Sequence, residues 1–167
     1  MKTNRPKVKV PFEPLDIVVD LISVTLYILM IVYTVINYGD LADTIPTHFN
    51  GKGEADGFGD KVYVWILPII GVFTFVLLFV LNKYPHIHNY MVNITEENAL
   101  KNYRFSTRII RFTNLFVAII FACIQYMMVE QGKGNTTEFG SWFLYSIIGI
   151  SVILPIFLFI YQRKINK

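Results

Sequence analysis

The sequence predicts an all-α integral membrane protein: four transmembrane helices form a bundle, and a folded extracytoplasmic loop joins the first helix to the second. Two observations carry that class. Hydrophobic residues make up 54% of the 167 residues and charged ones 16%, against roughly 45–50% and about 25% in soluble domains. The apolar residues also fall into four blocks, 17–38, 62–81, 112–129 and 141–161, each of about twenty residues and able as a helix to cross a hydrocarbon core of about 30 Å. The blocks lack strand alternation, and a spanning segment must satisfy its own backbone, so each is a helix.

Orientation follows from the basic residues. Residues 1–16 form an N-terminal tail with Lys2, Arg5, Lys7 and Lys9; the 82–111 loop carries Lys83, Lys101, Arg104, Arg108 and Arg111; the 162–167 tail carries Arg163, Lys164 and Lys167. Only Lys52, Lys61 and Lys133 of the fifteen Lys and Arg fall on the other side. The positive-inside bias therefore places both termini and the 82–111 loop in the cytoplasm and the 39–61 loop outside. The first block is too long for the apolar part of a cleaved leader and leads into Tyr38-Gly39-Asp40, so it is expected to stay as a helix.

In the first helix Asp20, Ser23, Tyr27, Met30, Thr34 and Asn37 recur at spacings of three and four, one face of a helix that should point inward. Asn114, Ala118, Ala122 and Gln125 form a matching stripe on the third, where alanines permit close approach and amides bond across a bundle. The two helices are expected to be neighbours. Asp20, Tyr27, Asn114 and Gln125 can be read as packing contacts or as the lining of a polar path. A carboxylate within a span is costly unless paired, and Arg111 is the expected partner of Asp20. Pro68 with Gly71 and Gly149 with Pro155 suggest bends in helices two and four.

The outward loop reads Ile45-Pro46-Thr47-His48-Phe49-Asn50-Gly51-Lys52-Gly53-Glu54-Ala55-Asp56-Gly57-Phe58-Gly59-Asp60-Lys61. Asn50-Gly51 and Asp56-Gly57 are turn signals and Ile45–Phe49 a short extended piece, together a compact cap. His48, Glu54, Asp56 and Asp60 are a weak candidate set for a divalent ion, at a spacing that matches no metal motif; the alternative is that His48 and Asn50 hold the turn. Between 39 and 61 five acids, Asp40, Asp43, Glu54, Asp56 and Asp60, face two lysines, a balance that attracts cationic peptides. In the cytoplasmic loop Thr95 is placed to cap a short helix with Glu96 and Glu97 in its first turn, its basic side lying on anionic headgroups or a cytoplasmic protein. His86 and His88 follow Pro85 in what reads as an exposed turn.

The I-P-T-H-F-N-x-x-G-x-x-D-G pattern at 45–57, with Lys61 at the next span, resembles bacterial membrane proteins of the SdpI-like family. Asn89-Tyr90 and Ile94-Thr95-Glu96-Glu97-Asn98 with Tyr103-Arg104 are similar to a second block of that family. The resemblance is to the amino-terminal module, a domain of unknown function. It points to Pro46, His48, Phe49, Asn50, Gly53, Asp56, Gly57 and Lys61 as signature positions, and in the second block to Asn89, Tyr90, Thr95, Glu97, Asn98, Tyr103 and Arg104. It implies a protein of the bacterial inner membrane that confers immunity to, or senses, a peptide toxin or envelope stress outside, with a cytoplasmic regulator inside.

Enzyme readings start weakly: no G-x-S-x-G, H-E-x-x-H or P-loop pattern occurs, and Cys123, the single cysteine, lies inside a span. A formal charge of +3 is far from a nucleic-acid-binding composition. The expectation is a non-enzymatic protein without cofactor whose partners are the bilayer, a toxin peptide and a regulator. The alternative is a small transporter or transporter subunit using the path between helices one and three; a metal-dependent membrane enzyme is the weaker third reading.

Overall fold

A computed structural model describes residues 5–165. It is mostly helical: α1 spans Pro14–Asn37, α2 Ile66–Leu81, α3 Ala99–Gly132 and α4 Ser141–Ile165, and each belongs to one of four segments long and apolar enough to cross a membrane. The all-α expectation is corrected at one place, because Thr44–Phe49 (β1) and Ala55–Asp60 (β2) pair antiparallel between α1 and α2. Element bounds shift too. Pro14 opens α1 at the first helical position, where its missing N–H costs nothing, and Asp16 Oδ2 accepts the Glu13 backbone N–H at 2.9 Å. Residues 61–65 form a 3-10 turn ahead of α2. Pro68 thus falls in the first turn of α2, where its N–H has no partner to lose and no bend is needed.

The larger correction concerns α3. A short helix and a separate span were expected, yet one 34-residue helix runs through both. Its buried side is continuous in spacing: Asn102, Tyr103, Thr107, Arg111, Asn114 and Ala118 are all buried. Polar residues in the first turns had hidden this stripe from a reading based on apolar content.

The chain divides into two compact units. The first holds the chain up to Tyr33 together with Ile66–Cys123, and so most of α1, all of α2 and most of α3. Here α1 and α3 run parallel: Asp20 meets Arg111, 91 positions on, and Tyr27 packs with Met30 against Ala118. α2 approaches α1 at Gly71, where an added Cβ would lie 2.6 Å from Tyr27 Cε1; Phe75 meets the same ring edge-on at 6.0 Å.

The second unit holds Thr34–Trp65 and the chain from Ile124. Ile45 and Val64, both 0% exposed, are its apolar centre with Leu41, Met127 and Val129. The hairpin base is tied to the end of α3, since the Ala42 N–H donates to Gly132 O at 2.9 Å and a Cβ at Gly132 would come 2.9 Å from Ile45 Cγ2. α4 buries none of its apolar window.

Candidate functional site

Three groups of residues carry the chemistry that the sequence singled out. The first is the hairpin. β1 and β2 pair Thr44 with Asp60, Ile45 with Gly59, Pro46 with Phe58, His48 with Gly57 and Phe49 with Ala55, with irregularities on both sides of His48. At the turn Asn50 does most of the bonding: its Oδ1 accepts the N–H groups of Lys52 at 2.8 Å and Glu54 at 3.1 Å, and its Nδ2 donates to Glu54 Oε2 at 2.8 Å. Gly53 sits at φ +86°, a conformation that costs an L side chain about 1–2 kcal/mol. Gly57 lets β2 close on β1, since a Cβ there would lie 2.8 Å from His48 Cβ.

The remaining signature residues also hold shape. His48 Nδ1 pairs with Asp56 Oδ1, Asp60 Oδ1 accepts the Val62 N–H at 2.8 Å, and Lys61 Nζ meets Asp43 Oδ1 at 2.9 Å and lies over the Tyr38 ring. Pro46 is buried and Phe49 half-buried. Of the weak metal candidates, His48 and Asp56 bond each other, Glu54 accepts from Asn50 and Asp60 accepts from the Val62 N–H. Among the described residues no group of three or more His, Cys, Asp or Glu could hold an ion. What the hairpin presents to solvent is the alternate face of β2, where Asp56, Phe58 and Asp60 are exposed and the residues between them are not. Phe58 is 64% exposed.

The second group is the polar face shared by α1 and α3. Glu13, Asp16 and Asp20 stand opposite Arg104, Arg108 and Arg111. Arg104 Nε meets Glu13 Oε1 at 3.0 Å, Arg108 pairs with Glu13 and, at 3.1 Å, with Asp16, and Arg111 Nε meets Asp20 Oδ2 at 3.0 Å. The expected Asp20–Arg111 contact is present. Glu13, Asp16 and Arg108 were missed, although acids at i, i+3, i+7 facing bases at i, i+4, i+7 is a legible signal of two helix faces. Asp16 is 2% and Arg111 7% exposed, and the Arg111 guanidinium also lies 4.7 Å from the Phe12 ring centre. Further along, the Tyr27 hydroxyl and Asn114 Oδ1 are buried without a hydrogen-bond partner. In the second unit Gln125 Nε2 donates to Thr34 Oγ1 at 2.7 Å and to Val64 O at 3.0 Å, pinning the turn before α2 to α1 and α3.

The third group is the 82–98 segment with the extended chain before α1. Here the exposed-turn expectation for His88 is corrected. It is 7% exposed, with Nδ1 2.8 Å from Ser106 Oγ and Nε2 3.1 Å from Leu81 O. A carbonyl only accepts, so Nε2 carries the proton and Ser106 donates to Nδ1 in the neutral ring. Burial pulls the His88 pKa below its usual value, the Leu81 carbonyl opposes that, and His86 adds a smaller downward push. Arg5 Nη1 donates to the carbonyls of His88 at 2.6 Å and His86 at 3.2 Å, with its guanidinium over Tyr90. Burial pushes Tyr90 up to about 12, and its hydroxyl donates to Pro85 O at 2.8 Å.

Tyr103 donates to Pro6 O at 2.8 Å and centres a small core with Ile94 and Ala99, against which Val8, Val10, Tyr90 and Val92 pack. Thr95 is not the side-chain cap expected; instead Asn98 Oδ1 accepts the Thr95 N–H at 3.0 Å and its Nδ2 donates to Asn93 O at 2.9 Å. Asn89 and Glu97 are exposed. The role of Arg5 left no local sequence signal, because its contacts with the His86 and His88 carbonyls lie 81 and 83 positions away.

A family described as Domain of unknown function (DUF1648) matches residues 25–72, the hairpin with the helix ends that flank it. A protein of Archaeoglobus fulgidus described as uncharacterized is 29% identical, over 78% of each chain. No solved structure matches.

Proposed function

We propose that the chain is a non-enzymatic membrane protein of SdpI-like type that protects against, or senses, a peptide toxin or envelope stress, with the hairpin as its receiving surface. In this reading the protein lies in a bacterial inner membrane, the hairpin faces outward, and both termini and the 82–98 segment face a cytoplasmic regulator. The basic residues support that orientation through the positive-inside bias. The observation that carries the reading is the outward face of β2: Asp56, Phe58 and Asp60 alternate acid, aromatic, acid on a strand held rigid by its own turn. Such a face suits a cationic amphipathic peptide, which supplies charge for the carboxylates and an apolar side for the ring. Both strands of a two-stranded sheet also keep an open edge for strand addition.

The test is survival of cells carrying single variants His48→Ala, Asn50→Ala, Asp56→Ala and Phe58→Ser under a panel of cationic envelope-active peptides. Weaker protection with unchanged membrane insertion is expected; an unchanged response to every peptide refutes the reading. Labelling of a cysteine placed at Lys52 or at Met91, in a Cys123→Ser background, reports the side of each segment in intact cells. A second reading, a small transporter, draws on the buried, unpartnered Tyr27 hydroxyl and Asn114 Oδ1. Solute-coupled ion flux in reconstituted vesicles, lost in Asp20→Asn, favours it.

A further inference from the structure

A pocket in the first unit, of about 240 Å³, lies among the chain before α1, the end of α2 and the first half of α3. Its cationic and polar lining is Lys9, Lys83, Arg111, Asn82 and Thr107, and its apolar walls include Phe12 and Phe79. No carboxylate lines it. Arg111 is already matched by Asp20, whereas among the described residues no ion pair occupies Lys9 or Lys83, which are exposed at the rim. Lys83 Nζ rests 5.2 Å from the Phe79 ring centre. Asn82 donates through Nδ2 to Thr107 O at 3.3 Å, while its Oδ1 is buried without a donor. Two uncompensated ammonium groups, an acceptor lacking its donor and aromatic walls thus meet at the end of an apolar span, the depth at which headgroups lie.

We propose that this pocket binds the headgroup of an anionic glycerophospholipid: the phosphate sits with Lys9 and Lys83, the headgroup hydroxyls supply donors toward Asn82, and the first acyl carbons pass over Phe12 and Phe79. Size agrees, since the cavity is smaller than the roughly 300–1,000 Å³ pockets of drug-sized ligands and takes a headgroup with its chains outside. A basic pocket at the end of membrane helices is the usual form of such recognition. The proposal is independent of what the hairpin does.

The test is native mass spectrometry and binding titration of the full chain in detergent, with phosphatidylglycerol as probe, phosphatidylcholine as comparator and inorganic phosphate as competitor. Phosphatidylglycerol is expected to be retained in preference to phosphatidylcholine. Loss of one lysine should weaken it about five-fold, and Lys9→Ala with Lys83→Ala about thirty-fold. Lys9→Arg with Lys83→Arg should keep the binding, as should Lys101→Ala with Lys164→Ala, which removes two charges outside the pocket. Equal loss in that control, or equal retention of the two lipids by the unaltered chain, overturns the proposal. Displacement by inorganic phosphate at concentrations matching the lipid overturns it in favour of a soluble phosphate.

Discussion

Removing the Arg111 side chain, as Arg111→Met, leaves the three carboxylates of the α1–α3 contact facing two guanidinium groups. At 3.0 Å and an effective dielectric of about 20, the attraction between Arg111 and Asp20 is about 5–6 kcal/mol, much of it offset by the cost of drying both groups. The net value of the pair is therefore small, but the cost of breaking it is not: an uncompensated charge in this setting costs about 3–5 kcal/mol. Asp16 still has Arg108 and the Glu13 N–H, so the orphan is Asp20. Asp20→Asn should cost less, about 1–2 kcal/mol, because Arg111 keeps Asp16 within 3.9 Å and its ring partner Phe12. The double variant Asp20→Leu/Arg111→Met should return to within about 1 kcal/mol of the parent. Thermal unfolding in lipid nanodiscs and folded abundance in membranes give the readout. An Arg111→Met variant as stable as the parent, or a double variant no better than the single, refutes the reasoning. Full abundance of Asp20→Asn with loss of function would move the carboxylate from architecture to activity.

Gly71→Ala should destabilise by about 1–3 kcal/mol through the Tyr27 ring 2.6 Å away, and Tyr27→Leu should recover part of the loss in the same unfolding assay. Gly57→Ala or Gly53→Ala should speed hydrogen exchange at the Asn50 and Gly53 amides while leaving α1 and α3 protected. The depressed His88 pKa makes stability pH-dependent: the folded ring resists a proton that the unfolded ring takes up below about 6.5. Stability contributed by the neutral ring is therefore present above about 6.5 and lost as pH falls, by at most about 1.4 kcal/mol per pH unit. His86, Arg5 and Tyr90 are the ionisable groups around it. His88→Asn should flatten the profile between pH 7 and 5; an unchanged slope would place the proton uptake elsewhere.

The four spans, the α1–α3 pairing and the compact loop were legible in the sequence because each rests on a short-range pattern: runs of apolar residues, polar stripes at spacings of three and four, and Asn-Gly and Asp-Gly turns. The hairpin pairing was not, since β2 reads Ala-Asp-Gly-Phe-Gly-Asp, with neither β-branched residues nor apolar alternation. Its strand character comes from close approach, with Gly57 under His48 and Gly59 against Tyr63. The unity of α3 was hidden because Asn102, Thr107 and Arg111 are buried by matching polar partners and not by apolar ones. His88 and Tyr90 depend on Arg5 and Pro85, contacts that only the folded chain creates.

The equal offset between α1 and α3 has a consequence for how this chain tolerates length changes. Asp20 with Arg111 and Thr34 with Gln125 are each separated by 91 positions, so both helices advance in step. One residue added at Lys52 changes that count but rotates neither helix, and both contacts survive. One residue added inside α3 between Asn114 and Ala118 turns everything after it by about 100°, carrying Gln125 away from Thr34 and Val64 while Arg111 stays in place. Natural insertions should therefore gather at the hairpin tip and be barred from the third helix.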